Sequence, residues 1–224
     1  MDEVIVRVMR ALACFSRIEM LRLMIREGEL TPRALSEKLG VSPAAVSLHL
    51  RRLESAGLIC RRPSGRRCYC IAKSAYARDT LSGKLAAWLK RTLASAKKPT
   101  EPTHRRRQHR ADRNEEGSTA EAVFDAATAF TNLRRLRIQR RLGHRKGVLR
   151  ESLSRALHMS PSALCRHLRK LERRGYVVIS ENAEHETCRL ASRFKTPFHA
   201  ELLRIVKSVR QRPRPVDAQA PLRE

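Results

Sequence analysis

The sequence predicts a mainly α-helical protein with small β-hairpins, in which one folding unit occurs twice in tandem. Three observations carry that expectation. The segment LSEKLGVSPAAVSLHLRRLESAGLI (35–59) aligns without gaps with LSRALHMSPSALCRHLRKLERRGYV (153–177), and self-similarity over such a distance marks a repeated unit. A shift of 118 residues pairs Leu35 with Leu153, Pro43 with Pro161, His49 with His167 and Gly57 with Gly175; it also pairs Arg17 with Arg135 and Cys70 with Cys188. Apolar residues recur at helical spacing through most of each copy, and short runs bounded by Pro, Ser and Gly supply the hairpins.

The elements follow in order. Val4, Ile5, Val8, Met9 and Leu12 predict a first helix, and Ser16 is expected to cap a second whose apolar face carries Ile18, Leu21 and Ile25. Thr31-Pro32 reads as a cap followed by a proline whose missing N–H costs nothing at a helix start. The short helix with Leu35 and Leu39 stops at Gly40, where a left-handed backbone is tolerated. Ser42-Pro43 repeats the device and opens a helix that turns Val46, Leu50 and Leu53 inward and ends at Gly57. Leu58-Ile59-Cys60, a turn at Pro63-Ser64-Gly65 and Cys68-Tyr69-Cys70-Ile71 read as a hairpin. Leu81, Leu85, Trp88 and Leu89 mark a closing helix. In the second copy, Val123, Phe124, Ala127 and Phe130 mark the first helix, and Phe198, Leu202, Ile205 and Val209 the last. The domains expected are 1–95 and 120–210, joined by a charged linker, 96–119, and followed by a disordered tail, 211–224.

The 224 residues include 48 Lys+Arg against 22 Asp+Glu, a formal charge of +26. A field that positive attracts a polyanion. An apolar share of 42% is enough for packed cores, whereas an aromatic share of 4% argues against stacking single-stranded bases on exposed rings. No apolar run approaches the ~18 residues a membrane helix needs, so no membrane partner is expected. The opening Met1-Asp2-Glu3, with Arg7 and Arg10 breaking the apolar run, predicts no secretory leader. Six irregularly spaced cysteines then fit reduced thiols in a cytoplasm.

Helix, helix, short helix, turn, helix and hairpin is the order of a winged helix-turn-helix. TPRALSEKLGVSPAAVSLHLRRLESAGLI with its GRRCYC wing strand resembles the ArsR-type transcription regulators, strongly over 10–75 and more weakly over 125–190. The resemblance implies a cytoplasmic DNA-binding regulator, nucleoid-associated when bound, with repression favoured. It also implies pairing through first and last helices, here as an internal pseudo-dimer or a homodimer, with two independent units on one string as the other reading.

In a helix-turn-helix, the second helix enters the major groove of double-stranded DNA. With Val46, Leu50 and Leu53 inward, the outer side carries Ala44, Ser47, Leu48, Arg51 and Ser55. Ala44 and Leu48 suit a thymine methyl, and Ser47 suits several bases. Arg51, Arg52 and the wing's Arg61, Arg62, Arg66 and Arg67 suit phosphate. Ser42 and Ser160, at the helix starts, belong to the same candidate set. In the second copy the equivalent face carries Ser162, Cys165, Arg166, Arg169 and Arg173, with Lys170 beside it. Arg166 stands in place of Leu48 and suits a bidentate contact to guanine, so two unlike half-sites are expected. His49 and His167 have two readings, a phosphate contact or a half-buried packing residue. His158 replaces Gly40 at the turn, where a positive φ strains a non-glycine residue. Glu181, Glu184 and Glu186 stand in the second wing, which either stays off DNA or turns to protein.

No cofactor, metal site or catalysis is expected. The family's metal-binding members often carry Cys-x-Cys in the helix that here reads PRALSEKL, and the last helices offer only Asp79, or His199 with Glu201. Cys68 and Cys70 share one side of a strand as packing thiols, a redox pair or half of a tetrahedral site. His104 and His109 flank Arg105, Arg106 and Arg107, whose charge disfavours a cation. No phosphate-binding glycine loop, nucleophile elbow or H-E-x-x-H pair occurs. Two other functions remain open: an architectural or nonspecific nucleic-acid binder, for which charge is sufficient, and a protein-interaction module, favoured by the acidic second wing.

Overall fold

The computed structural model describes residues 1–94, 119–143, 146–181 and 186–209. The His104–His109 cluster, Glu184 and the expected tail 211–224 lie outside the described residues.

Helix α1 (Asp2–Leu12) buries Ile5, Val6, Val8, Met9, Ala11 and Leu12. Helix α2 spans Phe15–Glu27 and starts earlier than the sequence suggested. Ser16 does not cap it: the Cys14 carbonyl already accepts the Ile18 N–H at 3.1 Å, which makes Cys14 the N-cap. Helix α3 (Pro32–Leu39) follows, with Thr31 Oγ1 accepting the Ala34 N–H at 3.2 Å. Its C-cap, Gly40, is left-handed at φ +61°. Helix α4 (Pro43–Ser55) opens on Ser42, whose Oγ accepts the Ala45 N–H at 3.3 Å, and it buries Val46, Leu50 and Leu53. The turn between α3 and α4 is held by the Ser36 hydroxyl, which donates to the Val41 carbonyl at 2.6 Å. Ser154 does the same to Met159 at 2.6 Å, 118 residues on.

Strands β1 (Cys60–Ser64) and β2 (Arg67–Ile71) pair antiparallel, Ser64 opposite Arg67. The expected turn at Pro63-Ser64-Gly65 is therefore shifted: Pro63 and Ser64 are strand, and Gly65-Arg66 make a two-residue turn, with Gly65 at φ +57°. A Gly at the first central position is what a type II′ hairpin turn demands. Pro63 faces Cys68 one step in from the turn, a non-hydrogen-bonded pair that needs no proline N–H. Helix α5 (Leu81–Ala94) then packs Leu81, Leu85, Trp88, Leu89 and Leu93 inward.

In the second half, the described part of helix α6 is 119–128. Phe130, expected on this helix, lies in the turn after it and meets Tyr176 edge-on at 5.1 Å. Helix α7 (Leu133–Arg141) is capped by Asn132, whose Oδ1 accepts the Arg134 N–H at 2.9 Å. Strand β3 (Val148–Leu149), α8 (Arg150–Leu157), α9 (Pro161–Arg173), β4 (Val177–Glu181), β5 (Glu186–Leu190) and α10 (Pro197–Ser208) complete it. The sheet runs β3-β5-β4, antiparallel throughout. In the first half a bridge between Leu30 and Cys70 stands where β3 meets β5 at Val148 and Cys188.

The halves share one buried core. Helix α1 lies against α7 and α5 against α10. Asp2 pairs with Arg140 at 2.8 Å and Arg91 with Glu201 at 2.6 Å, while Lys84 Nζ donates to Ser208 Oγ at 2.9 Å. Among the described residues no helix is long and apolar enough to cross a membrane.

Candidate nucleic-acid interface

The outer side of α4 is bare. Ala44, Ser47, Leu48, Arg51, Arg52 and Ser55 are all exposed, and Leu48 keeps 42% of its surface. The isolated leucine lies beside Ser47 and Arg51, so the face is mixed rather than an apolar patch. On α9, Ser162, Arg166, Arg169 and Arg173 are exposed, whereas Lys170 is half-buried. Cys165 is half-buried too, in a groove edged by Arg150, Arg169 and Glu186. The cap hydroxyls of Ser42 and Ser160 each hold a backbone N–H at 3.3 Å, and Ser160 Oγ also lies 3.4 Å from Ser162 Oγ. Both serines thereby fix the helix start that faces outward.

His49 is half-buried between the two sides of α4, with Nδ1 3.4 Å from a guanidinium nitrogen of Arg17. Burial, then the charges of Arg17 and Arg52, hold its imidazole below the ordinary value. At neutral pH it is uncharged and able to accept from Arg17. His167 is lowered in the same way by burial and by Arg135 and Arg134.

Sequence reasoning matched Arg17 with Arg135 but gave neither a role. Both guanidinium groups are buried and wrap the C-terminal end of the helix before them. Arg17 donates through Nε to the Ala11 carbonyl at 2.5 Å and through a terminal nitrogen to Arg10 at 2.8 Å. Arg135 donates to Ala129 at 3.0 Å and Thr128 at 2.9 Å, the same carbonyls shifted by 118. A fixed cation at a helix C-terminus satisfies carbonyls that have no partner within the helix and complements the dipole. An arginine inside an apolar stripe at matching places in both copies was the available signal.

The wing arginines divide into two groups. Arg61 pairs with Glu54 at 3.0 Å, and Arg62 clamps both carboxylate oxygens of Glu29, at 2.6 and 3.2 Å, with its guanidinium 5.7 Å from the Tyr69 ring. These two bind the wing to α4 and to the residues before α3. Arg66 and Arg67 stand exposed at the hairpin tip. In the second wing, Glu181 faces Glu186 across the strands, and Glu186 is held by Arg150 of α8. His158 does adopt the left-handed conformation, at φ +50°, the sole non-glycine at positive φ among the described residues.

Cys70 and Cys188 are fully buried, and burial pushes each thiol up to about 11. Neither is a thiolate at neutral pH, which weighs against a reactive Cys68/Cys70 pair. No group of three or more potential metal-binding side chains occurs among the described residues.

These outward helices on buried supports, each followed by a hairpin, define winged helix-turn-helix units. Residues 16–59, from α2 through α4, match the family described as winged helix-turn-helix DNA-binding. Residues 151–178, covering α8 and α9, match the bacterial regulatory protein, arsR family. No curated protein and no solved structure matches the chain. The chain carries two helix-turn-helix units in tandem, the first similar to winged DNA-binding helix-turn-helix proteins and the second to the arsR family of bacterial regulatory proteins.

Proposed function

We propose that the protein occupies a promoter-proximal operator, most simply as a repressor, and reads two unlike half-sites with α4 and α9 of one chain. The observation that carries this reading is the pair of outward faces: Ser47, Leu48 and Arg51 on one helix, Ser162, Arg166 and Arg169 on the other, each backed by buried leucines. Units 1–95 and 120–210 act as an internal pseudo-dimer, supported by the packing of α1 on α7 and of α5 on α10. Such pairs place recognition helices about one DNA turn, ~34 Å, apart. Leu48 favours an A/T-tolerant half-site, and Arg166 favours one containing guanine, with about 1–3 kcal/mol of discrimination. The reading places the protein in the cytoplasm, on the nucleoid when bound, and assigns it no catalysis.

Selection of duplexes from random DNA tests this reading. The expected product has two dissimilar half-sites and binds at least ~10³-fold more tightly than a scrambled duplex at the same salt. A perfect palindrome would overturn the asymmetric reading, and equal affinity for scrambled DNA would leave a nonspecific binder. R51Q/R52Q is expected to abolish binding to the selected site. One observation favours a second reading for the second unit: two wing carboxylates face each other where the first wing carries arginines. Contacts of that wing with protein rather than phosphate would appear as an unchanged salt dependence in E181Q/E186Q.

A further inference from the structure

A 118-residue shift that exchanges the halves should carry each contact between them onto a like contact. It does not: Asp2–Arg140, for one, maps onto Ala120 and Arg22, and at the joint of the first helices the difference is one of volume. Phe15, at the start of α2, stacks on Phe124 of α6 with ring centroids 4.3 Å apart, and the Arg174 guanidinium lies 5.8 Å from the Phe124 ring. The reciprocal residues are Leu133, at the start of α7, and Val6 of α1, with Ala56 standing where Arg174 does. Two rings and a guanidinium become two aliphatic side chains and a methyl. In that place the structure has a cavity of about 640 Å³, lined by both Val6 and Leu133. Sites for small organic ligands have this size.

The lining has two characters. Val6, Ala11 and Leu133 make it apolar on one side, while Arg7, Arg10 and Arg52 face it with three cations against the single carboxylate of Glu3. Arg10 is held in place there, its Nε donating to the Thr131 carbonyl at 3.0 Å. An inorganic anion would leave the apolar side wet, and a neutral compound would leave the guanidinium groups without a counter-charge. We propose that the cavity between α1, α4 and α7 binds a small organic anion with an apolar body, where the reciprocal joint is filled by stacked rings. Arg52 also belongs to the candidate DNA face, so the bound anion competes with phosphate for it. That consequence rests on the DNA-binding reading; the binding itself does not.

The test titrates the full chain, without DNA, with anilinonaphthalene sulfonate and with the neutral N-phenylnaphthylamine. One sulfonate per chain is expected, bound about tenfold or more tightly than the amine, a difference of about 1.4 kcal/mol. V6F/L133F rebuilds the ring stack and is expected to remove that binding while keeping the circular dichroism of the parent. Arg7→Gln, at an exposed position, is expected to weaken the sulfonate several-fold and leave the amine unchanged. Undiminished sulfonate binding by folded V6F/L133F overturns the proposal, as does equal affinity for the two probes. Should V6F/L133F fail to fold, Arg7→Gln decides: unchanged sulfonate affinity overturns it. In a separate arm, the sulfonate is expected to weaken duplex binding by the parent and not by V6F/L133F. A parent that binds no duplex at all faults the regulator reading and leaves the site standing.

Discussion

His158 shows how a single residue can be both legible and costly. Its match to Gly40 places it at a turn that needs a left-handed backbone, and the chain adopts that conformation at φ +50°. Such a conformation costs a non-glycine residue about 1 kcal/mol or more. His158 is exposed, so little packing is lost on its removal. His158→Gly is expected to raise stability by about 1 kcal/mol in urea unfolding, and an unchanged midpoint would contradict the strain argument. His199 carries a pH dependence. Its Nδ1 lies 2.8 Å from Thr196 Oγ1, its Nε2 3.8 Å from Asp125, and it is 1% exposed. Burial, then Lys195 and Arg174, lower its pKa from 6.5 to about 4. Above pH 6.5 it is neutral folded or unfolded. As pH falls from 6.5 towards 4, the unfolded chain takes up the proton and the folded one does not, so stability drops. The full loss is about 3 kcal/mol. Between pH 7.5 and 4.5, His199→Leu should therefore lose less stability than the parent.

At the scale of elements, the wings differ more than the helices that support them. In the first hairpin, Arg61 and Arg62 are committed to Glu54 and Glu29, and Arg66 and Arg67 stand exposed at the tip, where the proposed reading gives them phosphate. R66Q/R67Q is expected to lower the salt slope of duplex binding by about two, at about 0.9 per contact, without altering the selected sequence. An unchanged slope would place that wing off the DNA. The helices were legible because local signals agreed: Thr31-Pro32, Ser42-Pro43 and Gly40 fix starts and stops by short-range chemistry, and the capping bonds are there. The Ser16 cap misled because a neighbouring carbonyl, at Cys14, took the first helical bond instead. Proline in β1 was read as turn because its tolerance depends on which pairs of the ladder are hydrogen-bonded, and one strand's sequence does not reveal that register. Of the interface, the exposed face of α4 followed from helical period alone. The commitments of Arg17, Arg61 and Arg62 did not, since each depends on a partner brought near only by folding.

For the whole molecule, the joints between halves lie far apart in sequence, from Asp2–Arg140 at one end to Lys84–Ser208 at the other. The expectation of pairing through first and last helices rested on family resemblance; no local pattern specified Phe15 against Phe124. With so much of the core shared, a chain whose 100–115 segment is replaced by a protease site and then cut is expected to elute as one particle. Separation into two smaller species would mean that the tether, not the packing, holds the halves. The replacement of Leu48 by Arg166 at equivalent exposed positions reaches further. In a dimer of identical chains, every mutation of the reading helix is imposed on both ends of its target. On the proposed two-half-site reading each helix is free to change alone, so a target can drift one side at a time. A bound molecule would also have a head and a tail, and could tell the upstream flank of a promoter from the downstream one.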